Sequence, residues 1–209
     1  MNNNTANLAT LCPSLTRTDI KTMTIQDIQK EVDEICAWFD IMWPFDKSLV
    51  AKKIPVSWME KDKKTVGQAS RRKVNGVYKY SIVFGKTYMR NATVTGFHST
   101  ILHEVLHCIE NGNRDGWSHT GLWKERAAII SRITPYQISR CVQASEITPE
   151  YQKIQMAKKR YAIACEDCDY TANYQRKGKI FQYVEKGNAY GFYMCPKCGS
   201  SHLKAKYLY

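Results

Sequence analysis

The run His103-Glu104-Val105-Leu106-His107, followed after eleven intervening residues by His119 in Ser118-His119-Thr120-Gly121-Leu122-Trp123, constrains this chain more than any other feature. Residues four apart on a helix share a face, so His103 and His107 can both offer a ring nitrogen to one metal ion at about 2.0 to 2.1 Å. Three imidazoles beside one carboxylate are the parts of a zinc hydrolase site, with His103, His107 and His119 as ligands and Glu104 as general base. The surrounding pattern supports a helix. Leu102, Val105, Leu106 and Ile109 form a core-facing stripe, whereas His103, His107 and Glu110 form a polar stripe that can line a cleft. Asn111-Gly112 offers a left-handed stop, after which the chain can return and carry His119 toward the metal.

The third ligand has two candidates. A metzincin pattern would need Gly and His at the positions of Glu110 and Asn113, which excludes that class. A gluzincin would take a glutamate from the next helix, where Glu125 borders the apolar series Leu122, Ile129, Ile130 and Ile133. His119 is the expected ligand, and Glu125 is the residue that would replace it.

Two further knuckles, Cys165-Glu166-Asp167-Cys168 and Cys195-Pro196-Lys197-Cys198, point to a structural zinc held by four thiolates, Cys165, Cys168, Cys195 and Cys198. The 26 residues between the knuckles exceed the usual spacing, but Lys177-Gly178-Lys179 and Gly187-Asn188 suggest turns, hence a zinc ribbon with an extended β-hairpin. The expected cofactors are therefore two Zn2+ ions, one catalytic and one structural. Cys12, Cys36, Cys108 and Cys141 lack a pairing pattern and read as small core hydrophobes in a reducing, intracellular setting. His202 reads as a surface residue.

The 209 residues, 44% apolar and 24% charged, suit a globular protein with one good core and a small appendage. No apolar run approaches the roughly 20 residues of a membrane span, and Met1-Asn2-Asn3-Asn4 lacks the marks of a signal peptide. The net charge of +12 favours a polyanionic partner such as nucleic acid. From position 150 onward there are 11 basic and 5 acidic residues, making the tail the more basic part per residue. Its cations alternate with aromatics, so the expected contacts to single-stranded DNA are Arg176, Lys177, Lys179, Phe181, Tyr183, Lys186, Lys204 and Lys206, with Tyr174, Tyr190, Phe192, Tyr193 and Tyr207 interleaved. Some of these rings must instead form the ribbon's small core.

Between leader and tail, Thr24-x-x-Asp27 caps an amphipathic helix carrying Ile25, Ile28, Val32, Ile35 and Phe39 up to Pro44. A strand over Ile54–Met59 follows. A run from Thr65 to Lys73 then meets Val77–Phe84 through Asn75-Gly76, the strongest short hairpin signal. A helix from about Gly121 to Ile133 stops at Pro135. The expected fold is α+β: a flexible leader over 1–18, a zincin-like domain over 19–147 with a small antiparallel sheet plus helices, a basic connector over 148–160, and a zinc ribbon over 161–209.

This order of features resembles the SprT-like family of zinc metalloproteases, which includes Spartan. The similarity spans about Ile20 to Tyr209 and rests on Val56-Ser57-Trp58, on Thr65-Val66-Gly67, on His103-Glu104-x-x-His107 with His119 and Trp123, and on the ribbon. The family's third histidine is usually followed directly by glycine, whereas Thr120 intervenes here before Gly121. The resemblance implies a compact, bacterial or viral type of member: a DNA-dependent metalloendopeptidase cutting proteins bound or crosslinked to DNA. Two other readings stay open, a non-catalytic DNA-binding protein built on a protease-like scaffold and a zinc peptidase of soluble proteins. No single residue stands out as the oxyanion stabiliser.

Overall fold

The computed structural model describes residues 12–44, 48–60, 66–109, 118–187 and 193–208. The chain is α+β and divides into two compact units between Thr148 and Pro149.

The first unit is organised around two helices and a small sheet. Helix α1, Ile25–Met42, starts at a capping box in which the Thr24 side chain accepts from Asp27 N–H and the Asp27 carboxylate accepts from Thr24 N–H at 2.8 Å. It buries Ile28, Val32, Ile35 and Phe39. A short helix α2, Leu49–Lys52, leads to β1, Val56–Trp58. Strands β2, Gly67–Val74, and β3, Val77–Phe84, form a hairpin whose turn residues Asn75 and Gly76 have φ of 49° and 81°, the left-handed pair that a tight two-residue turn requires. The sheet order is β1-β3-β2, with β3 antiparallel to β2 but parallel to β1. The expected antiparallel sheet is therefore mixed, because the hairpin signal governs β2 and β3 alone while β1 joins the far side of β3. That order leaves β2 at an edge.

After α3, Lys86–Asn91, the motif lies on α4, Val94–Ile109, which packs against α1 and the hairpin. Leu102, Val105, Leu106 and Ile109 are buried as the pattern required. Helix α5, Gly121–Ile133, keeps the expected bounds but turns a different face inward: Trp123, Arg126, Ala127 and Ile130 are buried, whereas Leu122 is 41% exposed. The chain then returns to α4. Gly96 allows this close approach, since a Cβ there would lie 2.0 Å from the Glu146 carbonyl oxygen.

The leader differs from expectation. Residues 1–11 lie outside the described residues, but Pro13–Thr16 form a 3-10 turn with Cys12 and Leu15 buried, and the Tyr136 hydroxyl donates to the Leu15 carbonyl. His98 of α4 joins the same seam, with Nε2 donating to the Arg17 carbonyl at 2.9 Å and Nδ1 2.6 Å from Glu31 Oε1, the His98 and Glu31 side chains both fully buried. Cys36 and Cys108 are buried, but Cys141 is exposed.

The second unit holds α6, Pro149–Ala157, and an antiparallel sheet β5-β4-β6 built from β4 Tyr161–Cys165, β5 Thr171–Tyr174 and β6 Leu203–Tyr207. Most of the expected connector is thus helical. The expected hairpin after Lys177-Gly178 is instead a helix α7, Lys179–Glu185, because Phe181 and Val184 sit three apart and pack on Ile163. Among the described residues, no helix is long and apolar enough to cross a membrane.

Candidate metal centres and active site

Helical spacing places His103 and His107 on one face of α4, and His119 comes to them from the turn before α5 with φ of 57°, a left-handed conformation that histidine tolerates better than most residues. The three Nε2 atoms stand 3.2 Å (His103–His107), 3.1 Å (His107–His119) and 3.0 Å (His119–His103) apart. A zinc ion about 2.0 to 2.1 Å from each would subtend N–Zn–N angles of roughly 90 to 105°, which leaves room for a fourth ligand. His103 Nδ1 donates to the Ser139 carbonyl at 3.0 Å, which fixes the tautomer and turns an unprotonated Nε2 toward the others. Burial, reinforced by the neighbouring His107 and His119, pushes the His103 imidazole down to about 3, so it stays neutral and able to ligate. The donor set therefore fits zinc.

Beneath the triad lies Trp123, 4% exposed, with its ring centroid 4.5 Å from His119, 4.9 Å from His103 and 5.4 Å from His107. Glu125 is exposed on α5 and outside the donor cluster. His119→Ala should therefore release one zinc while Glu125→Ala keeps both, as metal analysis of the purified proteins would measure; the reverse result would transfer the ligand role to Glu125.

Glu104 is held by the edge of β2. Ile82 N–H donates to Pro55 across the sheet, so the Ala69–Ile82 pair exchanges no hydrogen bond and Ala69 N–H points off the free edge, where it donates to Glu104 Oε2 at 2.7 Å. Gly67 leaves room for the carboxylate, since a Cβ there would come within 2.8 Å of Glu104 Cγ and Oε1. Glu104 and the three histidines line one cleft of about 490 Å³, walled on one side by Val66–Ala69 and on the other by Gln137 and Ser139–Val142.

Burial lifts the Glu104 carboxyl from 4.5 to about 7, against the lowering effect of the Ala69 N–H. A folded-state value above the unfolded one means that its contribution to stability is complete at low pH and is lost as pH rises from 4.5 through about 7. Without metal, Glu104→Gln should gain on wild type by about 3 kcal/mol between about pH 4 and about pH 8. All five tryptophans precede Thr148, so urea unfolding of the zinc-stripped proteins followed by tryptophan fluorescence reports on the first unit alone. A pH-independent difference would contradict a buried, ionising carboxyl.

The second centre lies entirely in the second unit. Cys165 closes β4, and Cys168, Cys195 and Cys198 surround it, with Sγ–Sγ distances of 3.6 Å for Cys165–Cys198 and 3.7 Å for Cys168–Cys195. Tetrahedral zinc with arms of about 2.3 Å needs edges of about 3.8 Å, so this set fits as well and is consistent with a zinc ribbon. Burial raises the Cys195 thiol, but the backbone N–H groups of Cys198 and Lys197, together with the neighbouring thiols, outweigh it and bring Cys195 down to about 7, favouring the thiolate that a metal needs. His202 stays outside, paired with Asp167 at 2.9 Å.

The residues expected to meet DNA fare unevenly. Arg176, Lys179, Lys186, Lys204 and Lys206 are exposed, as is Tyr183 at 47%. Phe181 is 2% exposed in the small core, so its ring is closed to a base. Lys177 is engaged by Glu185 at 2.7 Å and by the Tyr207 hydroxyl at 2.8 Å. Glu110, the Asn111-Gly112 stop, Tyr190 and Phe192 lie outside the described residues. Sequence reading missed the Ala69 N–H, the Ser139 carbonyl and the space left by Gly67, because a backbone donor in a strand and a carbonyl in a coil carry no side-chain signature. In comparisons with known proteins, no family model and no curated protein sequence matches the chain.

Proposed function

We propose that the chain is a zinc metalloendopeptidase with a zincin-like catalytic unit, acting on proteins held on DNA. One observation carries the hydrolase reading: a buried carboxyl, Glu104, shares a cleft with three convergent imidazole nitrogens, of which His103 Nε2 is kept unprotonated. Zinc on the three Nε2 atoms would supply a water of lowered pKa and a Lewis acid for a carbonyl. Glu104 lines the same cleft and would accept the proton of a water held there and later deliver it to the leaving amine. The Ala69 N–H holds Glu104 in place, and the remaining outward groups of the β2 edge can pair with an extended substrate segment. Ser139 keeps His103 oriented through its carbonyl.

The DNA half of this reading rests on the resemblance to SprT-like proteases and on the exposed Arg176, Lys179, Lys186, Lys204 and Lys206 of the second unit. The buried Phe181 and the paired Lys177 favour a second reading, in which this unit serves stability alone and the peptidase acts on free proteins. Cleavage of a DNA-binding protein by the zinc-loaded full chain, with and without single-stranded DNA, separates the two. DNA should stimulate cleavage, and the triple variant Arg176→Glu, Lys179→Glu, Lys186→Glu should lose the stimulation while keeping the DNA-free rate. Binding through several phosphates should also weaken steeply with salt, with a slope of about −0.7 per phosphate contact. Equal stimulation of the triple variant would remove the second unit from DNA recognition.

A further inference from the structure

Next to the metal cleft runs a second groove of about 670 Å³, and the two share His119, Gln137, Ser139 and Arg140. Its charged lining is of one sign: Lys124 and Arg132 from α5, and Arg140 from the coil opposite. Lys124, Ala128 and Arg132 recur every four residues, so they stand on one face of the helix, and small side chains at Ala127, Ala128 and Ser131 keep the floor open. The three cations are exposed, and among the described residues none has a carboxylate within ion-pair distance. A groove lined by one sign of charge concentrates the opposite sign.

Resting on the peptidase reading, we infer that this groove is a substrate subsite that selects acidic side chains, Asp or Glu, on the segment flanking the bond to be cut. Adjacency favours a peptide: a chain lying across the metal cleft would meet the groove along the four residues that the two share. A nucleic-acid strand is the weaker fit, because unpaired bases need open aromatic faces. The aromatic side chain of the lining, Trp123, is buried beneath the histidines.

The test measures binding without turnover. Zinc-loaded Glu104→Gln protein is titrated into a fluorescent peptide carrying four consecutive acidic residues and into its Asn/Gln isostere. Three exposed pairs of ordinary strength predict roughly tenfold tighter binding of the acidic peptide at low salt. Adding Lys124→Glu and Arg132→Glu, which touch neither the metal ligands nor Glu104, should abolish or invert that preference. An unchanged preference in the charge-reversed protein, or none before reversal, overturns the subsite. So does loss of single-stranded oligonucleotide binding on reversal without a peptide preference, which would make the groove a phosphate site. If the wild type with both zincs hydrolyses no peptide while the preference and its reversal hold, the peptidase reading fails and the acidic-peptide groove stands.

Discussion

Glu104→Gln should lower proteolysis by a factor of about 10² to 10⁴ while leaving both zinc sites loaded. The substitution preserves shape, and the amide oxygen can still accept the Ala69 N–H now 2.7 Å from the carboxylate, so the edge of β2 keeps its partner. What disappears is the proton acceptor. His103, His107 and His119 approach one another through ring nitrogens and not through Glu104, so metal content has no reason to change. Zinc analysis, tryptophan fluorescence and a cleavage assay on the same preparation check the three parts together. Cleavage at the wild-type rate would remove Glu104 from the reaction. Loss of the catalytic zinc would show that the carboxylate helps hold the metal and that the general-base assignment is misplaced.

Much of the first unit was readable because local rules and tertiary demands agree there. Thr24 and Asp27 cap α1, Asn75-Gly76 turns the hairpin, and the His103, His107 spacing works only on the helix that forms. Reading failed where one residue type serves two ends. Of the expected stripe of α5 Ile130 is buried, but Leu122 and Ile133 are exposed, and the inward face adds Trp123, Arg126 and Ala127, because the indole sits under the triad and Arg126 stacks over Trp43 with its guanidinium carbon 5.1 Å from the ring centroid. Phe181 matched a base-stacking pattern and proved to be core, since so small a unit needs its largest ring inside. The parallel pairing of β1 with β3 and the docking of residues 12–17 depend on long-range packing, which a periodic pattern does not encode.

Stripping zinc from the second unit should unfold it while leaving the first folded. Its buried apolar cluster is Ile163, Phe181 and Val184, supported by partly buried Tyr161, Tyr193, Leu203 and Ala205. The unit, Pro149–Tyr209, falls below the roughly 70 to 80 residues at which one core alone supplies more than about 3 to 5 kcal/mol. A structural zinc on four thiolates is worth about 10 to 16 kcal/mol at neutral pH, and where no site exists in the unfolded chain that binding energy is folding energy. Cys165 ends β4 and Cys195 follows the segment after α7, so a metal on these thiolates would tie the sheet to residues about 30 positions away. Cys195→Ser should therefore bind one zinc instead of two, lose the amide protection of β4, β5 and β6, and expose the chain beyond Thr148 to proteolysis. Tryptophan fluorescence should stay at its wild-type value, because all five tryptophans belong to the first unit. Retained protection in β4 with one zinc lost would mean that the apolar cluster suffices and that the four cysteines are not what holds this unit together.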